Sequence, residues 1–80
     1  MITIVDTKVY AVINTTDYNC DGKASVQIAM GEENAQALGW PMSSMGWSEK
    51  RKSVIRVKDL EIGEMILSNE YYGAYIMRIA

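Results

Sequence analysis

Asp17, Asn19, Asp21 and Gly22, in the stretch "DYNCDGK", fall on the D-x-N-x-D-G spacing that opens a twelve-residue calcium loop. In such a loop positions 1, 3 and 5 supply side-chain oxygens, position 6 needs glycine, and position 12 supplies a bidentate glutamate. Counted from Asp17, position 12 is Ile28, an apolar residue in a stretch that alternates like a strand. Asp17, Asn19 and Asp21 alone make a weak oxygen site, and neither flank reads as a helix. A turn accounts for every residue: Asp-Gly is a common hairpin signal because glycine takes positive φ at little cost, and Asp17 and Asn19 can bond to their own backbone. The turn is therefore the expectation, and no resident metal is assigned.

Other chemistries are thinner still. The chain has no histidine, so a serine or cysteine nucleophile lacks its usual base. Cys20 is the sole cysteine, which rules out an internal disulfide, leaves no tetrahedral zinc set and suits a reducing compartment. The negative charges of Asp17 and Asp21 beside it work against a thiolate. Asp59, Glu61 and Glu64 flank "EIG" and read as an exposed turn rather than an acid/base pair. No glycine-rich phosphate loop is present. The expectation is a protein that is not an enzyme and carries no cofactor.

The elements that would position any site are mostly strands. "MITIVDTKVYAVIN" places Val5, Thr7, Val9, Ala11 and Ile13 on one face, while Ile2 and Ile4 have the other parity, which suggests a bend near Asp6. "KASVQIAM" alternates with Ala24, Val26, Ile28 and Met30 expected inward and Ser25 and Gln27 outward. The two make a hairpin around residues 15–22. "GEENAQALGW" is the single helical candidate, two turns long, with Glu32 and Glu33 at its start and Gly39 as its stop. After a loop "PMSSMGWSEKRK", "SVIRVKDL" reads as a strand with Ile55 and Val57 inward, then come a short strand "EMILS" and a last strand "AYIMRIA". The expected class is α+β, mostly antiparallel β: a curved sheet or small open barrel of about five strands in the order ββ-α-βββ, with one short helix and residues 1–80 as a single domain.

Composition limits the partners. A net charge of −2 argues against general affinity for nucleic acid, and the one basic cluster, "EKRK" from Glu49 to Lys52, reads first as a solvated loop and second as a docking site for an acidic partner, with Arg51 the candidate contact. No apolar run approaches the ~20 residues of a membrane-spanning helix, and "MITIVDTKVY" lacks a basic segment ahead of an apolar one, so a cytoplasmic location is expected. At this length a chain buries only about 60% of its unfolded surface, so self-association would help it.

Two apolar clusters mark where a partner would touch. "GWPMSSMGW" gathers Trp40, Met42, Met45 and Trp47, residue types enriched at contact surfaces. The indoles have two readings, a plug for the open end of a sheet or a contact surface. "YYGAY" gives Tyr71, Tyr72 and Tyr75; on alternate positions Tyr75, Met77 and Ile79 share one face and Tyr72, Ala74 and Ile76 the other. A last strand apolar on both sides is central in its sheet, or covered, or an edge that pairs with a second copy. The functional expectation is a non-catalytic protein-binding module: a small accessory or inhibitor protein of viral or mobile-element type that blocks a host enzyme or complex, itself homo-oligomeric. A small-ligand or nucleotide binder with a stacking pocket is the alternative, and a scaffold subunit comes third.

Overall fold

The computed structural model describes residues 8–19 and 21–80, so the expected bend near Asp6 and the setting of Cys20 lie outside the described residues. The elements are β1 (Val9–Asn14), β2 (Ser25–Met30), α1 (Glu32–Ala37), β3 (Met45–Ser48), β4 (Ser53–Arg56), a 3-10 turn (Val57–Asp59), β5 (Met65–Ser68) and β6 (Ala74–Arg78). The six strands form one open antiparallel sheet in the order β2-β1-β6-β5-β3-β4. This is the α+β, mostly β class expected. The sixth strand, β3, lies inside the stretch read as a loop.

The β1–β2 hairpin forms with Val9 opposite Met30 and Asn14 opposite Ser25. Its connection is a wider loop than a two-residue turn. The Gly22 N–H donates to the Asn19 carbonyl at 3.1 Å, and Gly22 sits at φ 78°, where glycine is favoured. In the second half of the chain β3 is the middle strand: it forms a hairpin with β4 on one side, and the chain crosses over to place β5 on its other side. Gly46 makes that pairing close: a Cβ there would run into the Leu67 carbonyl of β5. β6 then joins the halves, bonding to β5 on one side and β1 on the other. It is central, one of the positions its two apolar faces allowed, and the edges of the sheet are β2 and β4 rather than this last strand.

Helix α1 has two acidic residues in its first turn and no side-chain cap at its start. It ends in a Schellman arrangement, with the Gly39 N–H donating to the Gln36 carbonyl and the Trp40 N–H to the Ala35 carbonyl, and Gly39 at φ 98°. Six residues cannot hold a helix alone; Ala35, fully buried, packs it on the sheet. The core lies between this layer and one sheet face. Ala35, Trp40, Val57 and Leu60 come from the layer and Tyr10, Val12, Ala29, Ile66, Ala74 and Ile76 from the strands, with Leu38, Met42 and Ile55 at its margin. Among the described residues no helix is long and apolar enough to cross a membrane.

One expectation reverses here. Val26, Ile28 and Met30 were expected inward; they are 63%, 57% and 69% exposed, while Ala29 is 1% exposed and faces the core. Alternation fixes which residues share a face, not which face is covered. β2 is the strand that α1 packs against, and the pair Ala29 and Ala35 permits a close approach that Ile28 would block.

Candidate functional site

The displaced side chains of β2 belong to a larger surface. Residues directly opposite in antiparallel strands lie on the same face, so the registers extend it from strand to strand. Met30, Ile28 and Val26 stand opposite Val9, Ala11 and Ile13. Ala11 and Ile13 stand opposite Met77 and Tyr75, which in turn stand opposite Met65 and Leu67. Leu67 is opposite Trp47, and Trp47 opposite Val54. Met45 lies two residues from Trp47, and Ile79 two from Met77. The result is an apolar face crossing all six strands, about 24 Å wide at the usual strand spacing. Its one charged strand residue is Arg56, at the corner on edge strand β4, opposite Met45.

Among the described residues the layer of α1, 38–44 and 57–60 lies on the other side, and nothing covers this one. Val26, Ile28, Met30, Met45, Trp47, Val54, Met65 and Ile79 all stay exposed, between 38% and 69%, and an apolar face of this extent marks an interaction surface. Four of the chain's six methionines, Met30, Met45, Met65 and Met77, are on it. Their flexible thioethers mould to an irregular surface. Trp47 is held at the margin: its indole Nε1–H donates to Glu49 at 2.9 Å, and Lys52 donates to the same carboxylate at 2.7 Å. The Glu49 carboxyl is held below its usual value by the Lys52 and Trp47 hydrogen bonds, then by the Lys52 charge.

The expected binding residues separate. Met45, Trp47 and Tyr75 lie on the open face. Trp40 is buried and Met42 half-buried in the core, where Met42 Sδ accepts a long contact of 3.7 Å from the Tyr10 hydroxyl. The two indoles thus divide the two readings, Trp40 the plug and Trp47 the contact surface. Tyr71 and Tyr72 are exposed on the β5–β6 loop, with Tyr71 edge-on to Tyr18 at 5.9 Å between ring centres. Val26, Ile28, Met30, Val54, Met65 and Leu67 were missed as site residues. The signal was present for Val26, Ile28 and Met30, since "KASVQIAM" alternates, whereas Val54, Met65 and Leu67 lie in shorter strands and join the face only through the registers.

Arg51 and Glu64 are a second correction. Glu64, expected on an exposed turn, is 1% exposed. Its Oε1 accepts from Arg51 Nη2 at 2.6 Å and from the Glu61 N–H at 3.0 Å, and its Oε2 accepts from Ser48 Oγ at 2.7 Å. Arg51 Nη2 also donates to the Asp59 carbonyl at 2.7 Å. Burial alone would raise the Glu64 pKa, but the bonds from Glu61, Ser48 and Arg51 and the Arg51 charge outweigh it and hold the carboxyl below its usual value. The reason for burial is structural, since this carboxylate ties the β3–β4 hairpin to the turn before β5. Asp59 and Glu61 are exposed as expected, and Lys50 bonds Glu61 at 2.9 Å.

The calcium-like stretch spends its side chains on the loop. Asn19 Nδ2 donates to the Lys23 carbonyl at 2.8 Å, and Asp21 Oδ1 accepts the Lys23 N–H at 3.0 Å. Beside this loop a cleft of about 700 Å³ opens between Tyr18, Trp40, Ser44, Asn69 and Tyr71. Compared with known proteins, the chain matches no family model, no curated protein and no solved structure.

Proposed function

We infer that this chain is a non-catalytic protein-binding module whose docking surface is the open sheet face. The observation that supports the reading is the apolar face on which Val26, Ile28, Met30, Met45, Trp47, Val54 and Met65 are exposed around half-buried Leu67, Tyr75 and Met77. Among the described residues the most buried carboxylate, Glu64, has both oxygens engaged by donors, which suits a structural rather than a chemical role for it. Acting by occupation of a surface is the mode of a small accessory or inhibitor protein, of viral or mobile-element type, against a host enzyme or complex. What supports that finer reading is small size alone. A lone cysteine, which suits a reducing compartment, supports a cytoplasmic location.

A photo-cross-linking side chain tests the surface. Placed at Met65 it captures a polypeptide in cells, while the same group at Lys58, exposed outside the face, does not. Equal capture at both positions, or none at Met65, defeats the reading.

The cleft favours a second reading, a small planar ligand seated against Trp40 and Tyr71. Trp47 faces elsewhere and cannot share that pocket. Tryptophan fluorescence titrated with a nucleotide panel tests it; an unmoved signal defeats it.

A further inference from the structure

The open face must be withdrawn from water by something, and three observations converge on one occupant. The first is extent: the face crosses six strands, about 24 Å at the usual spacing, and eight apolar side chains on it are 38–69% exposed, the breadth of an interface rather than of a ligand pocket. The second is charge. A two-fold contact sets a patch against its own copy, so any central charge meets its like. This face, on a chain of net charge −2, is apolar throughout and keeps its single charged strand residue, Arg56, at a corner. A partner of opposite charge would find nothing to pair with. The third is shape. The molecule is only 19 Å thick in its shortest direction, one sheet with a layer on one side, and sheets stack at ~10 Å.

We propose that a second copy of this chain packs on the open face, sheet against sheet, in a two-fold dimer centred on Met65, Leu67, Tyr75 and Met77. The proposal rests on the reading of that face as the docking surface and names its partner. The dimer is a sandwich with a helical layer on each outside, and its interior holds the paired methionines. Aligned sheets in such a sandwich cross at about −30°.

Sedimentation of the full chain across the micromolar range tests it, with a hydrophobic dye reporting the face. The expected result is a particle of twice the chain mass that takes up little dye. Met65→Lys raises the dimer dissociation constant by ~100-fold, because it buries an unpaired charge in each copy, and the resulting monomer keeps its far-ultraviolet dichroism. Should M65K lose its fold, Ile28→Lys, more exposed and on edge strand β2, carries the same expectation. Ile62→Lys, exposed on the turn before β5, leaves the dimer intact. A monomer that takes up dye, and loses the dye with M65K, overturns the second copy and leaves the docking surface standing for another protein. A monomer that takes up none overturns both. A dimer that survives both M65K and I28K is built elsewhere and overturns the proposal.

Discussion

The two faces of the sheet are both apolar, yet they are built from different residues. The covered face uses Tyr10, Val12, Ile66 and Ile76, filled in by Ala29, Ala74, Gly46 and Ser48 wherever another element or strand comes close. The open face uses Met30, Met45, Met65 and Met77 with Ile28, Leu67 and Trp47, and its only small residue among them is Ala11, walled in by Ile28 and Met77. Small residues record an approach fixed within the chain. Long unbranched ones suit a contact that has yet to form. The contrast teaches that apolar content does not say whether a face is covered, while the mixture of sizes does.

Removing contacts from the covered face gives the largest effect. Ile76→Ala should cost about 3–4 kcal/mol and lower Tm by at least ~12 °C, read by thermal melting. Ile28→Ala, measured at a dilution where the chain is monomeric, should stay within about 0.5 kcal/mol. Equal losses at the two positions would erase the distinction between the faces.

Glu64 comes next, as the polar anchor of the covered side. Glu64→Ala should cost about 3 kcal/mol, since it strips a nearly inaccessible carboxylate and leaves Ser48 and Arg51 without their acceptor. A loss under 1 kcal/mol would show that water replaces the carboxylate.

The same group predicts a pH dependence. Its folded pKa is lowered from 4.5, so the stability it contributes is complete above the unfolded value and drains away as pH falls through the folded one. Tm should be level between about pH 7 and 5 and decline below, and Glu64→Gln should flatten that decline. Glu49 and Glu61, lowered by their lysine partners, add a smaller part in the same direction.

The smallest effect sharpens the contrast most. Met30→Ser, at the far edge of the open face, should change Tm by about 2 °C or less in dilute solution. A drop that grows with protein concentration would place Met30 inside the contact between copies.

Much of the architecture was legible. Helix α1 with its glycine stop, the first hairpin and the last two strands follow from periodicity and turn residues. β3 was not, because Gly46, Trp47 and Ser48 sit among serine, methionine and proline residues that read as loop; the glycine is there for the close strand, not for a turn. The orientation of β2 was misread for a reason of parity, since only tertiary packing decides which half of an alternating pattern the helix covers. Glu64 looked solvated because its partner Arg51 is thirteen residues away across a hairpin. The open face was half visible: "AYIMRIA" showed two apolar sides, but that five other strands continue one of them needed the register.

The strand order has a consequence for how the molecule comes into being. β1 with β2 makes one unit and β3, β4 and β5 another, and the only strand that touches both is β6, the last to leave the ribosome among those described. Until it arrives, a lone hairpin and a three-stranded unit have no shared scaffold, and an isolated hairpin is marginal in water. The final ladder closes over more than sixty residues of chain, from Tyr10 to Arg78, so maturation is all-or-none and slow for its size. Met77 and Tyr75 arrive with that same strand, so the open face becomes continuous in the step that closes the sheet.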